Sequence, residues 1–311
     1  MRVFRGHLHA VPTPTAVAIG NFDGVHLGHA ALLRQLVTTA AVRGLTPTVL
    51  TFEPHPREFF SPTTAPARLS TLREKLELLA EQGVAQTMVC PFNHRFAALG
   101  AEDFVSVVLR DALRARYVVI GDDFRFGRGR DGDFALLQAM GAASGFEVAA
   151  MGSVLRSGVR VSSSAVRAAL SAGDLSLAAA LLGRPYSMDG QVVRGQQLGR
   201  QIGFATANLR IKHNPLPLCG VFAVEVTGLG GAPLPGVANL GLRPTVGGTR
   251  PLLEVHLFDF SRDIYGAHIA VRFLKKLRDE QRFADFSALK AQIALDAAAA
   301  RDFFATADVD S

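Results

Sequence analysis

Close to the N-terminus the chain reads Ala18-Ile19-Gly20-Asn21-Phe22-Asp23-Gly24-Val25-His26-Leu27-Gly28-His29. Apolar residues 16–19 predict a buried strand before the glycines, and apolar residues at 32, 33, 36 and 37 recur at helical spacing after them. The glycines let the backbone approach a ligand or adopt a positive φ. A strand, a turn and a helix in this order direct backbone N–H groups towards an anion. The stretch therefore predicts an anion-binding turn.

The turn contains two histidines, His26 and His29, which can face one ligand if a helix begins near Leu27. Imidazoles donate hydrogen bonds to phosphate oxygens. Transfer at the α-phosphate of a nucleotide depends on positioning and charge stabilisation more than on a covalent nucleophile. On these residues alone, a glycine-rich turn with two solvated histidines is an equally good interpretation.

The rest of the N-terminal half alternates strands with helices. Further apolar strands are predicted at 48–52, 87–90, 117–120 and 146–150, with helices beginning near Thr71 and spanning 104–113. The apolar spacing places Leu72, Leu76 and Leu79 on the inner face of the first of these helices. This alternation predicts a doubly wound parallel sheet of the α/β class. Ligands bind such sheets at the carboxyl ends of the strands, which is where the anion-binding turn is expected.

Two more segments of this half carry polar residues that suit a nucleotide. The loop Gly121–Arg130 is rich in Asp, Gly and Arg, and Asp123 is its candidate ligand contact. In Val161–Arg167 a serine run precedes a predicted helix, so Ser163, Ser164 and Arg167 offer hydroxyls and a guanidinium to phosphate. Without further information, the serines are an ordinary helix cap.

A change of pattern follows Gly183-Arg184-Pro185, where helices give way to short strands. We place the domain boundary there, giving domains 1–184 and 185–311. Strands predicted at 187–193, 220–226, 234–240, 252–258 and 268–274, followed by a helix over 286–304, indicate a small antiparallel barrel with a C-terminal helix.

The segment 198–208 is the chemically dense part of the second half. Gly199 and Gly203 can let backbone amides contact phosphate, and Thr206 and Asn208 alternate, so an extended chain directs both oxygens to one side. Oxygen ligands of this kind suit Mg²⁺. Taken alone, the segment is better explained as an ordinary glycine-containing loop, and Glu254, on the polar face of its strand, as a solvated carboxylate.

Composition narrows the function classes. The chain has 311 residues and a net charge of +6, with 28 arginines and five lysines, and no basic run of the kind that marks a nucleic-acid-binding tail. Small phosphorylated ligands are therefore the expected partners, with no nucleic acid. Neither a signal peptide nor a membrane span is predicted, so we expect a cytoplasmic protein without a membrane partner. Cys90 and Cys219 suggest neither a disulfide nor a zinc site.

Three segments resemble known motifs. Residues 20–29 resemble the HxGH signature of the nucleotidylyltransferase superfamily, 162–167 resemble its SSTxxR motif, and 203–208 resemble the GFPTAN motif of riboflavin kinases, with Ala205 in place of proline. In these forms and in this order, the segments resemble the bacterial bifunctional riboflavin kinase/FAD synthetase family.

This resemblance implies two reactions: riboflavin and ATP give FMN in the C-terminal domain, and FMN and ATP give FAD and pyrophosphate in the N-terminal domain. It implies Mg²⁺ in both steps and no covalent enzyme intermediate. It gives catalytic roles to His26, His29 and Glu254, the last activating the ribityl 5′-hydroxyl. The other implied residues are nucleotide-binding Gly20, Asn21, Phe22, Asp23, Gly24, Asp123, Ser163, Ser164, Arg167, Gly199 and Gly203, metal-binding Thr206 and Asn208, and flavin-binding Asn239 and Arg243.

Two alternatives remain open at this stage. A nucleotidylyltransferase acting on another phosphorylated acceptor keeps the first fold but leaves the second domain unexplained. A flavin-binding protein without activity is argued against by the intact His26, His29, Arg167 and Glu254. Incubation with riboflavin and MgATP distinguishes these alternatives. The sequence leaves a homo-oligomer possible.

Overall fold

The computed structural model describes residues 1–6, 10–156, 158–195, 203–245 and 248–307. They form two compact units. The first unit comprises Met1–Pro66 and Leu72–Ser162, and the second comprises Ala67–Thr71 and the chain from Ser163 onwards.

The first unit is built on a six-stranded sheet in which every pair of neighbouring strands is parallel. The strand order is β1-β4-β3-β2-β5-β6. The strands are β1 (Arg2–Arg5), β2 (Thr15–Ile19), β3 (Thr46–Glu53), β4 (Gln86–Pro91), β5 (Ala115–Gly121) and β6 (Glu147–Met151). The prediction of a parallel sheet is confirmed. The edge strand β1 is an additional strand that is not predicted from the sequence.

Helices cover both faces of the sheet, because alternate residues of β2 belong to different cores. Ala16 and Ala18 pack with the leucines of α1, whereas Val17 and Ile19 pack with a π-helix that continues α5. The helical segments are α1 (Leu27–Arg43), α2 (Pro56–Phe60), α3 (Leu72–Glu81), α4 (His94–Ala97), α5 (Ala101–Asp103), the π-helix Phe104–Ala112, a 3₁₀ turn Arg128–Arg130 and α6 (Phe134–Ser144). A hairpin of β7 (Leu155–Arg156) and β8 (Val159–Arg160) follows.

Helix α3 is rotated relative to its predicted orientation. The apolar spacing placed Leu72, Leu76 and Leu79 on the inner face, but only Leu79 is buried. Glu74 and Lys75 are buried instead. Lys75 lies close enough to His29 to lower the pKa of that imidazole. Leu72 and Leu76 are half-buried, because α3 turns Glu74 and Lys75 further inward, with Lys75 close to His29.

The second unit begins with two helices, α7 (Ser163–Ala172) and α8 (Leu175–Leu182), and continues as a closed barrel of antiparallel pairs. The order around the barrel is β10-β13-β12-β11-β14-β9. Its strands are β9 (Tyr186–Val193), β10 (Ala207–Arg210), β11 (Gly220–Thr227), β12 (Leu234–Thr245), β13 (Gly248–Leu257) and β14 (His268–Arg278), and helix α9 (Phe286–Ala307) closes the chain. The predicted barrel is confirmed, with β10 as a sixth strand beyond the five expected.

Helix α9 packs on the outer face of the barrel. Ala297 and Ala300 of the helix share a buried core with Val221, Ala223 and Val237 of the strands. Along β13, Leu253 and Val255 are buried, whereas the side chain of Glu254 between them points to the face that α9 borders. None of the described helices has the length and apolar character needed to cross a membrane.

Candidate active sites

The turn between β2 and α1 has an unusual backbone. Positive φ angles occur at Phe22 (48°), Gly24 (80°) and Val25 (40°), so only one of these three positions has the glycine that this conformation favours. The ring of Phe22 is fully buried in the core beneath the turn. Its packing holds the strained backbone in place. Any contact of Phe22 with a nucleotide must therefore be made by its main chain.

Two glycines of the turn serve close packing instead of positive φ. A Cβ atom placed on Gly28 would lie 3.1 Å from Nδ1 of His26, and one placed on Gly20 would lie 3.2 Å from the ring of Phe22. Asn21 and Asp23 lie between these glycines, and Asp23 is buried. The absence of a side chain at Gly28 therefore lets the backbone of α1 pack directly against the ring of His26.

The two histidines stack on each other at the start of α1. His26 is the N-cap residue, and its Nδ1 accepts a hydrogen bond of 3.2 Å from the backbone N–H of His29. The rings lie 3.7 Å apart with 13° between their planes. Burial, His26 and Lys75 together lower the pKa of His29 well below 6.5, so this imidazole is neutral at pH 7.

Two buried polar atoms at this turn have no hydrogen-bond partner among the described residues. They are Oδ1 of Asn21 and Nδ1 of His29. Leaving a buried polar atom unsatisfied costs free energy, so such atoms indicate a missing ligand or water. Together with the N–H groups at the start of α1, they form a site for a polar, anionic group.

Asp123 lies just beyond β5, the strand next to β2, at the same edge of the sheet as the turn. Its carboxylate is exposed and accepts a hydrogen bond of 3.1 Å from Arg160. The same guanidinium contacts Asp122 at 3.4 Å, and Asp122 also accepts from Ser153. Arg160 of the β7–β8 hairpin therefore connects this hairpin to the loop after β5.

Ser163 and Ser164 are the first two residues of α7, and Arg167 lies one turn further along. Nε of Arg167 donates a hydrogen bond of 2.5 Å to the carbonyl oxygen of Ala67. These three residues belong to the second compact unit. His55 caps α2, and its Nδ1 accepts a hydrogen bond of 3.1 Å from the backbone N–H of Arg57.

The barrel carries a cavity of about 360 Å³ between its outer face and α9. One part of its wall is apolar, with Phe204, Val221, Phe283, Leu289 and Ile293. The rest is polar and includes these side chains: Thr206, Asn239, Arg243, Glu254, His256, Arg278, Glu280 and Asp296. An apolar wall facing a few polar groups is typical of sites for small organic ligands.

Glu254 stands in a row of cross-strand neighbours. It pairs in register with Asn208 of β10 on one side and with Asn239 of β12 on the other, so the three side chains share one face of the sheet. Oε2 of Glu254 accepts a hydrogen bond of 2.7 Å from Nη2 of Arg243. The structure thus brings Glu254, Asn239, Arg243 and Thr206 to one cavity.

Asn208 is buried next to Gly195, whose missing side chain leaves room for the Asn208 amide. Gly203 has a φ of 88° with open space around its Cα atom, and Gly199 lies outside the described residues. In the described part of the chain, no group of three or more His, Cys, Asp or Glu side chains could hold a metal ion. Any Mg²⁺ here would depend on neutral oxygens such as those of Thr206 and Asn208, completed by ligand phosphates and water.

Several residues of the cavity have no individual role predicted from the sequence. Arg278 forms two hydrogen bonds with the buried Asp296 of α9, of 2.8 and 2.7 Å, and Gln292 donates a third to the same carboxylate. Glu280 reaches Asn239 from the segment after β14. The signal in the sequence is the resemblance of 273–280 to the end of the riboflavin kinase family, which predicts that this segment borders the flavin site. The contacts themselves join positions 18 to 41 residues apart, so the sequence does not predict them.

A parallel sheet with an anion-binding turn, joined to a barrel with a carboxylate-containing cavity, defines a two-domain transferase of phosphorylated ligands. The family model described as FAD synthetase matches residues 8–165. The family model described as riboflavin kinase matches residues 182–304. The chain belongs to the family of bifunctional riboflavin kinase/FMN adenylyltransferases.

Individual relatives agree with this membership. The chain is 52% identical over 307 residues to the bifunctional riboflavin kinase/FMN adenylyltransferase of Escherichia coli K12, with 98% of both chains covered. It is 45% identical to the protein of the same name from Haemophilus influenzae, covering 98% of this chain and 99% of the relative. A crystal structure described as a macrolide-efflux protein from Streptococcus pneumoniae has a TM-score of 0.82 at 28% identity, covering 95% of this chain and 97% of that one.

The chain is therefore an enzyme with two activities that use ATP as a substrate. It phosphorylates riboflavin to FMN and adenylylates FMN to FAD with release of pyrophosphate. These matches argue against both alternatives left open by the sequence. A transferase for another acceptor does not account for the matched riboflavin kinase domain. An inactive flavin-binding protein does not account for two enzyme families that match in order along the chain.

Proposed function

We propose that each reaction uses its own set of residues: the barrel cavity phosphorylates riboflavin, and the turn between β2 and α1 adenylylates FMN. The observation that carries the proposal is the convergence of Glu254, Arg243, Asn239 and Thr206 on a single cavity beside an apolar wall. A cavity of about 360 Å³ with an apolar wall and a polar wall suits the flat ring system and the polyol chain of riboflavin.

In the kinase reaction Glu254 is the general base. Its carboxylate takes the proton of the ribityl 5′-hydroxyl, the hydroxyl oxygen forms a bond to the γ-phosphorus of ATP, and ADP leaves. Arg243 engages Oε2 of Glu254 and leaves Oε1 to accept the proton. Arg243 and Asn239 contact the flavin on the cavity side of β12.

We assign Mg²⁺ to Thr206 and Asn208. A hydroxyl and an amide carbonyl are hard oxygen donors, and Mg²⁺ takes such ligands together with substrate phosphates. When bound, the ion neutralises charge that develops on the phosphates. Asn208 lies in register with Glu254, which keeps the metal ligand and the base on neighbouring strands. Gly199 and Gly203 bind phosphate through their backbone amides.

In the adenylyl transfer, a phosphate oxygen of FMN attacks the α-phosphorus of ATP and pyrophosphate leaves. His26 and His29, stacked at the start of α1, donate hydrogen bonds to the reacting phosphates, and the N–H groups of the turn stabilise their charge. A neutral His29 can donate from one nitrogen while the other accepts. The further nucleotide-binding residues are proposed to be Gly20, Asn21, Phe22, Asp23, Gly24, Asp123, Ser163, Ser164 and Arg167.

Further predictions accompany this assignment. We place the functional boundary at residue 184 and the enzyme in the cytoplasm, with riboflavin, FMN, ATP and FAD as its partners and no nucleic acid or membrane. No covalent enzyme intermediate is expected. The assignment is compatible with a homo-oligomer, and light scattering measures the molar mass that decides the oligomeric state.

Single variants test the division of labour. Purified Glu254→Ala should form no FMN from riboflavin and MgATP, yet should convert supplied FMN to FAD at the parent rate. His29→Ala should show the opposite pattern. The matched control Glu225→Ala removes a carboxylate of β11 that does not line the cavity, and it should leave both rates unchanged. Loss of both reactions in either site variant, with the fold intact by circular dichroism, would refute the division.

A further inference from the structure

A second carboxylate, Glu280, lines the barrel cavity and has no part in the chemistry described so far. Its Oε1 accepts a hydrogen bond of 3.4 Å from Nδ2 of Asn239. The same carboxyl group lies against the backbone of Gly241, where any Cβ atom would overlap it. Asn239 and Gly241 are two residues apart on β12, so the carboxylate contacts one face of that strand at two points.

The contact fixes the orientation of the Asn239 amide. An ionised carboxylate only accepts hydrogen bonds, so the NH₂ group of Asn239 must face Glu280 and its carbonyl oxygen must point away. Asn239 pairs in register with Glu254, and both side chains project from the same face of the sheet. The cavity therefore presents two neighbouring acceptors, an amide oxygen and the carboxylate of the base.

We propose that Glu280 is a positioning residue of the kinase reaction, which holds the Asn239 amide so that its carbonyl oxygen, and not its NH₂ group, faces the substrate hydroxyls. The ribityl chain is a polyol, and a polyol hydroxyl donates its proton to an acceptor. Without Glu280 the amide is free to rotate by half a turn and donate to Glu254. The base would then be engaged by the protein and less available to the 5′-hydroxyl.

This inference rests on the proposed assignment of Glu254 as the base. It predicts an effect on kcat of the kinase reaction, because a rotated Asn239 amide would compete with the 5′-hydroxyl for Glu254 after riboflavin has bound. A loosened pocket wall would instead raise the KM for riboflavin. It also predicts that Glu280 acts only through Asn239, and that the space above Gly241 is required for Glu280 to reach it.

The test is a double-mutant cycle on full-length enzyme. Glu280→Gln should lower kcat of riboflavin phosphorylation roughly tenfold, because a neutral amide can donate as well as accept and so no longer requires the NH₂ group of Asn239 to face it. Tenfold corresponds to the low end of the range for a hydrogen bond to a charged group. In an Asn239→Ala background, Glu280→Gln should have no further effect. Gly241→Ala should reproduce the single variant, because the added methyl displaces the carboxylate. Adenylylation of supplied FMN should be unchanged throughout.

Cys219 provides an independent check that the carboxylate is seated as described. The side chain of Cys219 is exposed but partly shielded from water; this partial burial raises the pKa of its thiol, and the charge of Glu280 raises it further. Glu280→Gln should therefore lower this pKa and speed alkylation of the exposed thiol by iodoacetamide. Cys90 does not interfere, because burial raises the pKa of its thiol to about 12.

Each outcome bears on the proposal. Glu225→Gln is the matched control, and it should leave kcat and alkylation at the parent values. If Glu254→Gln is inactive as a kinase while Glu280→Gln matches Glu225→Gln, the role of Glu280 is refuted and the assignment of the base stands. If Glu254→Gln keeps kinase activity, the assignment of the base itself fails. Additive losses in the Asn239→Ala background, or a change only in the KM for riboflavin, would also overturn the proposal.

Discussion

Replacing Asp296 by asparagine should destabilise the barrel unit measurably. Asp296 is on α9, its side chain is 8% exposed, and it accepts two hydrogen bonds from Arg278 of β14 and one from Gln292. Asparagine keeps the shape of the side chain but removes its charge and one acceptor. The Arg278 guanidinium, 21% exposed, then lacks a counter-charge in a largely buried position.

The expected cost follows from these contacts. A hydrogen bond to a charged group contributes about 1.5–3 kcal/mol, and breaking a fully buried ion pair costs about 3–5 kcal/mol. The residual hydration of Arg278 places this substitution near the lower figures, at about 2–3 kcal/mol. For a unit of this size, 1 kcal/mol corresponds to about 2–4 °C in Tm, so the barrel transition should shift down by roughly 5–10 °C.

The chain contains a matched control on the same helix. Arg301 of α9 forms two hydrogen bonds with Asp259, of 2.9 and 3.1 Å, but these side chains are 50% and 81% exposed. Because water screens this pair, Asp259→Asn should change the Tm much less. Asp259 has a φ of 53°, a conformation that asparagine also tolerates, so the control adds no backbone strain.

Differential scanning calorimetry of the two variants beside the parent enzyme measures both shifts. A larger KM for riboflavin should accompany Asp296→Asn, since Asp296 and Arg278 line the cavity. Equal Tm shifts for Asp296→Asn and Asp259→Asn would refute the reasoning that burial decides the strength of these pairs.

Three other predictions concern the individual sites. Burial is the main cause that lowers the pKa of His29 below 6.5. The free energy of unfolding that depends on neutral His29 is therefore fully present above pH 6.5 and is lost as the pH falls through the lowered pKa. Urea unfolding at pH values between about 5 and 8 measures this loss. Gly28→Ala places a methyl group 3.1 Å from Nδ1 of His26 and should slow FAD formation from FMN roughly tenfold or more. Gly195→Ala should displace the amide of Asn208 and raise the Mg²⁺ concentration that half-saturates the kinase roughly tenfold.

Each of these predictions has an internal control. His29→Gln should remove the part of the pH dependence that His29 causes; an unchanged profile would show that another group is responsible. Gly28→Ala should spare the kinase reaction, and Gly195→Ala should spare adenylylation. Gly100→Ala, whose added Cβ has no neighbour closer than 4.0 Å, should change neither reaction. A kinase defect in Gly28→Ala, or an adenylylation defect in Gly195→Ala, would contradict the separation of the sites.

The fold class was predictable because both halves carry strong local patterns. The run Thr15–Ile19 is completely buried, and the leucines that follow the turn recur at helical spacing, so the strand and α1 could be located from the sequence. No strand is predicted from the sequence at β1 or β10. Each has only four residues, and each is held by pairing with a strand distant in sequence, which periodicity does not report.

The candidate sites were predictable only in part, for a different physical reason. Motif resemblance gives candidate roles to Glu254, His26 and His29, but not to the residues around them. Lys75 on a helix with apolar spacing gives no sign that it is buried near His29. Likewise Glu280 reaches Asn239 across 41 positions of sequence, so only the closed barrel reveals the contact.

Mixing two variants that each lack one of the two activities tests the central claim most directly. Neither Glu254→Ala nor His29→Ala alone should convert riboflavin and MgATP to FAD, because the first makes no FMN and the second does not adenylylate it. An equimolar mixture should form FAD, since FMN released by one protein is adenylylated by the other. Chromatography of the flavins measures this outcome. A mixture of folded variants that forms no FAD would contradict the account of two separate sites.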